Sequence, residues 1–169
     1  MLIESFSEDR NLLLSLFSLA DDSQRQIASY ISLGEVLVAR EGDLIAGHLQ
    51  ILEADHAGVF ELKSMAVSPS HQGRGIGRSL VEAAVVRCRI RGGHRLIVST
   101  ATADIGNLRF YQRLGFRMYR IVRDAFTPLE ATQRRNWSME YRCVTRFFLN
   151  VISVPDQQAS KSMGHMQTR

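Results

Sequence analysis

A chain of 169 residues with 45% apolar and 22% charged side chains is sized and composed for one ordinary globular domain, and neither disorder nor a membrane span is suggested. The longest apolar run, residues 12–20, is too short to cross a bilayer and follows Glu4, Glu8 and Asp9 instead of a basic leader, so it reads as an amphipathic helix of a cytoplasmic protein. The net charge of +4 hides an asymmetry: residues 1–62 carry 11 acids and 3 bases, whereas residues 63–169 carry 6 acids and 18 bases.

In chain order, residues 1–6 read as a strand and residues 10–20 and 22–32 as two helices, the second opening on Asp22 or Ser23 as N-cap. Gly34 ends the helical region. Residues 35–40 form a strand, 41–43 a tight turn and 44–52 the antiparallel return, the pattern of a hairpin. A further strand covers 59–67 and stops at Ser68-Pro69. Ile76, Leu80, Ala83, Ala84 and Cys88 recur at helical spacing, predicting one helix over 76–91 that Gly92-Gly93 terminates. A short buried strand at 96–98, a helix over 104–113 closed by Gly115, and strands at 118–122 and 139–149 complete the order β-α-α-β-β-β-α-β-α-β-β. This is an α/β mixture with an antiparallel front half and a central βαβ unit. The domain is expected to cover residues 1–153, with a polar, disordered tail at 154–169. Cys88 and Cys143 have no CxxC spacing and read as free buried thiols. His48, His56, His71 and His94 lack metal spacing and read as surface or turn residues; no metal is expected.

The chemistry concentrates in Gln72-Gly73-Arg74-Gly75-Ile76-Gly77, between a strand and a helix. Alternate glycines let the backbone approach a ligand without Cβ obstruction, and their N–H groups lie at the positive end of the helix that follows, which suits a pyrophosphate. A P-loop would need a Lys-Ser or Lys-Thr pair after its last glycine, and Arg78-Ser79 follows too early. A dinucleotide fingerprint would need glycine or alanine where Leu80 stands. The alternative reading is a turn that only connects two elements tightly.

These residues, with Leu62-Lys63-Ser64-Met65-Ala66-Val67 before them and 107–116 (Asn-Leu-Arg-Phe-Tyr-Gln-Arg-Leu-Gly-Phe) after them, resemble the GNAT acetyltransferases. The likeness spans about residues 20–149 and is most specific over 61–116, and the chain closely resembles a bacterial subgroup whose Arg-Asp-aromatic-Phe stretch is only partly matched by Arg123-Asp124-Ala125-Phe126. It implies a three-layer fold in which helices flank a mixed, mostly antiparallel sheet with a splayed central strand pair. It implies acetyl-CoA as cofactor, held by the main chain of Met65, Ala66 and Val67 and by Gln72, Gly73, Arg74, Gly75, Ile76 and Gly77. The Met65 N–H would face the thioester oxygen. Arg78 and Arg113 join Arg74 as phosphate partners, the alternative being solvated surface charges.

The resemblance further implies Tyr111 as general acid toward the departing sulfur and Glu61 as general base. The alternatives are that Tyr111 packs with Phe110 and Phe116, and that Glu61 pairs with Lys63. Period-two alternation puts Glu61, Lys63 and Met65 on one strand face. Asp104 stands where many relatives carry asparagine, with Asn107 one turn later, so both are candidates for a cofactor contact. Glu53, Asp55 and Asp124 are weaker candidates for substrate contact.

The implied reaction moves an acetyl group to a primary amine in a ternary complex. The acidic N-terminal half, including Asp21, Asp22 and Glu53, suggests a cationic amine as the acceptor partner; a second copy of the chain is also allowed, and neither nucleic acid nor membrane is expected. The competing reading is a silent acyl-CoA sensor.

Overall fold

The computed structural model describes residues 1–101, 104–123 and 145–151. Strand β1 (Leu2–Ser5) is followed by a 3-10 turn, Arg10–Leu13, and two short helices, α1 (Leu14–Ala20) and α2 (Gln24–Tyr30). The hairpin β2 (Glu35–Glu41) and β3 (Leu44–Glu53) leads to β4 (Val59–Val67). Helix α3 (Ile76–Ile90) crosses to β5 (Arg95–Ala101), and α4 (Ile105–Arg113), β6 (Arg117–Arg123) and β7 (Thr145–Val151) close the chain. The element order is the one the sequence predicts. Strand β7 begins at Thr145, and the earlier part of the strand expected over 139–149, with Asp124, Cys143 and the tail, lies outside the described residues.

The seven strands form one sheet in the order β1-β2-β3-β4-β5-β7-β6. Every pair is antiparallel except β4 and β5, which α3 joins as a parallel crossover. Strand β2 shows why three layers form: Val36 and Val38 pack with Phe17, Ile27 and Tyr30, while Leu37 and Ala39 pack with Leu80, Val81 and Ala84. With helices on both sides, residues 36–39 are all buried and the strand reads as a continuous apolar run. Ser23 caps α2 by accepting from the Gln26 N–H, and Asp104 caps α4 in the same way from Asn107.

One irregularity positions everything that follows. Between β3 and β4 the register passes from Gln50–Ser64 to Ile51–Leu62, leaving Lys63 as an extra residue on β4. A bulge of this kind bends its strand and interrupts the ladder. The parallel pairing of β4 with β5 stops at Leu62–Val98, beside the bulge. From there β4 continues along β3 to Val67, and β5 continues along β7 to Ala101, so the sheet opens at its centre.

Candidate active site

The Ser68 N–H donates to the Ala46 carbonyl of β3 at 2.8 Å. Main-chain groups alternate sides along a strand, so Ser64 and Ala66 also turn toward β3, and Met65 and Val67 turn their N–H and C=O groups into the opening beside β5. An amide-bearing arm laid there would pair with β4 as an added strand does. Gln72 ties the next turn back to this edge, its amide donating to the Val67 carbonyl at 3.1 Å.

The bulge also changes which side chains share a face. Leu62 packs into the α3 side of the sheet, and beyond the extra residue Met65 and Val67 do so as well, while Ser64 meets His48 on the α1 side. Glu61 and Lys63 therefore share the α1–α2 face, but Met65 does not join them, contrary to unbroken alternation. Glu61 and Lys63 are 3.7 Å apart, each half-buried, so the ion pair predicted as the alternative role of Glu61 exists.

In the turn, Gly73 and Gly75 hold φ of +76° and +81°, and a Cβ on either would meet nothing within 4 Å. Gly75 is the N-cap of α3 and carries no capping side chain. The first N–H groups of Ile76, Gly77 and Arg78 therefore have no partner within the helix, which fits a pyrophosphate drawn to unpaired amides and the helix dipole. Gly77 lies under Phe110, where a Cβ would come 3.3 Å from the ring. Arg74 is paired with Glu41 of β2 at 2.8 Å, and Arg78 with Glu82 one turn along α3 at 3.4 Å. Arg113 is exposed in the last turn of α4.

Tyr111 is buried between Phe110 and Phe116, with ring centroids 5.1 and 5.2 Å away. It packs as its alternative reading predicts. Burial first, and the negative charge of Asp104 second, push its phenol above the ordinary value of 10. A group that keeps its proton at neutral pH is in the state a general acid needs. Asn107 donates its side-chain amide to Asp104 at 2.6 Å, so these two candidates are tied to each other at the start of α4.

Several residues lie elsewhere than the sequence suggests. His48 is fully buried on β3 against Phe17, its Nε2 3.0 Å from the Ser64 hydroxyl and its Nδ1 without a partner. Burial lowers its pKa to about 3. Glu53, expected at an acidic mouth, pairs instead with Arg91 at the C-terminal end of α3, remote from the glycine turn. Asp21 does sit beside β4: the Tyr30 hydroxyl donates to its carboxylate at 3.4 Å, and Tyr30 also bonds Ser64. Burial, then Asp21, raises the Tyr30 phenol to about 12. Nothing in the sequence marked Tyr30 or Ser64, because a polar residue at a buried position carries no periodic signal. Among the described residues, no group of three metal-ligating side chains occurs and no helix is long and apolar enough to cross a membrane.

A sheet opened at its middle, with main-chain groups turned into the gap ahead of a glycine turn and an uncapped helix, fits an acyltransferase that works on a coenzyme A thioester. The sequence pattern of the acetyltransferase (GNAT) family matches residues 5–116, and the chain belongs to that family. It is 33% identical over 124 residues to the uncharacterised N-acetyltransferase YvbK of Bacillus subtilis, covering 73% of this chain and 79% of that protein. The fold is similar to that of an IAA acetyltransferase from Bacillus cereus, at TM-score 0.73 and 30% identity over 88% of this chain and 97% of the other. A Bacillus subtilis acetyltransferase solved with CoA is similar at TM-score 0.74 and 28% identity, over 88% and 96% of the two chains.

Proposed function

We propose that this protein transfers an acetyl group from acetyl-CoA to a primary amine by direct attack, the acceptor being a cationic amine that approaches from the α1–α2 side of β4. The reading is supported above all by the opening between β4 and β5, where the Met65 main chain and the Val67 N–H face the gap while Gln72 takes the Val67 carbonyl. Bound acetyl-CoA supplies an activated acyl group. The main-chain N–H of Met65 stabilises charge developing on the acyl oxygen. Ala66 carries the strand on to Val67, and Gln72, Gly73, Gly75, Ile76 and Gly77 with Arg74, Arg78 and Arg113 hold the phosphates. Asn107, tied to Asp104 at the start of α4, is a further contact for the cofactor. Glu61 first takes a proton from the ammonium, directly or through water, to free the attacking lone pair; as the new N–C bond forms and the C–S bond breaks, Tyr111 gives its proton to the leaving thiolate and regains one from the acylated nitrogen.

The test is thiol release from acetyl-CoA across an amine panel, with Tyr111→Phe in parallel. Loss of the acid is expected to lower kcat about 100-fold, with CoA affinity unchanged. Tight CoA binding with no thiol release for any amine would replace this reading with a sensor.

A further inference from the structure

Two polar side chains that the reaction does not use, His48 and Ser64, are buried where β3 and β4 pair, and they bond each other: His48 Nε2 stands 3.0 Å from the Ser64 hydroxyl. His48 Nδ1 has no partner, so a ring proton on Nε2, donated to Ser64, leaves no buried donor unmet. The Ser64 hydroxyl in turn donates to the Tyr30 oxygen, and Tyr30 donates to the Asp21 carboxylate at 3.4 Å. A carboxylate only accepts, so the groups form one chain of a single sense, from β3 through Ser64 to α2. Buried polar groups cost free energy unless they bond, and Nδ1 does not, so apolar residues would hold this face at least as well. The effect of the chain is to fix Ser64 by two partners at once.

We propose that Ser64 is a positioning residue, whose anchored side chain aims the Met65 N–H at the acyl oxygen. The inference rests on the acetyl-transfer reading and adds to it a residue that touches neither cofactor nor acceptor. One peptide group joins the two: its carbonyl is that of Ser64, turned toward β3, and its N–H is that of Met65, turned into the opening. At this point β4 has little else to hold it. The bulge at Lys63 interrupts the ladder to β3 just before Ser64, and pairing with β5 has ended at Leu62. Ser64 is bound on the α1–α2 face while the Met65 side chain packs on the α3 face, so the peptide plane between them is gripped from both faces of the sheet. A hydrogen bond weakens steeply as its donor swings off line, so an oxyanion donor has to be held as well as present.

The test is difference infrared spectroscopy of the protein loaded with acetyl-CoA that carries an isotopic label at the thioester carbonyl. In the wild type the carbonyl band is expected at lower frequency than in free acetyl-CoA, the mark of a donor aimed at that oxygen. Ser64→Ala should return the band most of the way to its free position, and Ser64→Thr, which keeps the hydroxyl, should hold it near wild type. Tyr30→Phe keeps the ring and frees only the far end of the chain; it should lose part of the displacement, and it carries the test if Ser64→Ala does not fold. Free CoA has no acyl oxygen, so its calorimetric affinity should not change in any of these variants. In thiol release, kcat should fall about tenfold for Ser64→Ala, less than the roughly 100- to 1000-fold that follows when an oxyanion donor is removed outright. A band displaced in the wild type that Ser64→Ala and Tyr30→Phe leave in place would overturn the positioning role and keep Met65 as donor. No displacement in the wild type would remove the Met65 contact and this inference together. Acetyl-CoA that does not bind at all would remove the acetyl-transfer reading itself, so the failures are distinguishable.

Discussion

His48 shows how little a single polar letter says about its surroundings. It stands on β3 between apolar neighbours, and the sequence reading put it at the surface; the structure packs it against Phe17, the ring centres 4.2 Å apart. Strand alternation gives the face it occupies, but only the packing of α1 over that face makes it buried. The consequence is a pH effect on stability. Folded, the imidazole stays neutral down to about pH 3, whereas unfolded it takes up a proton near 6.5. Between those values the unfolded chain binds more protons, so stability falls as the pH is lowered through that window, by up to about 1.4 kcal/mol per pH unit. Above pH 6.5 the group contributes no slope. Urea unfolding of wild type and His48→Gln at pH 7 and pH 5 should show a smaller acid loss in the variant. An unchanged loss would assign the slope to other groups. Tyr111 contrasts with His48: its position was legible in the Phe-Tyr-x-Arg-x-Gly-Phe run, and burial raises its pKa, so neutral pH leaves it protonated.

At the scale of elements, glycine spacing made the turn before α3 legible, whereas the β4 bulge was not. The bulged residue is a lysine, with no glycine or proline to mark it, and it reverses the faces of everything after it. The turn's role in binding can be separated from its role in folding. Gly75 and Gly92 both hold positive φ, +81° and +76°, and a Cβ on either meets nothing within 4 Å. Alanine at each position should therefore carry the same left-handed strain, about 1 kcal/mol. They sit at opposite ends of α3. Gly75→Ala would also place a methyl group at the mouth of the turn, in the way of the phosphates. We expect similar denaturation midpoints for the two variants but about a tenfold weaker CoA affinity for Gly75→Ala alone, the size of one lost hydrogen bond to a charged group. Equal CoA affinities would show that the turn only connects β4 to α3.

For the molecule as a whole, the opposition of an acidic front and a basic back turns out to be partly internal. Glu35 and Glu53 of the front half hold Arg91, Glu35 also holds Arg87, and Glu41 holds Arg74, so arginines from beyond residue 62 neutralise acids before it across the sheet. The sequence made the imbalance visible without showing that β2 and β3 lie under α3, which is the tertiary fact that converts it into ion pairs. Arg91 is the strongest case, because its guanidinium also covers the Phe60 ring at 4.8 Å. Exposed pairs contribute little singly, but a guanidinium shared by two carboxylates and stacked on an aromatic ring combines three weak terms. Arg91→Ala should therefore lower unfolding free energy by about 1–2 kcal/mol, with Arg91→Lys recovering less than half because an ammonium lacks the planar fork. In 1 M salt, where the Debye length is about 3 Å, the ionic part of that loss should shrink while the ring contact persists. Because the 15 residues of α3 separate Arg91 from the glycine turn by about 22 Å, CoA affinity should not move with stability. A matched fall in both would mean that α3 transmits the state of its C-terminal clasp to the phosphate end as a rigid rod.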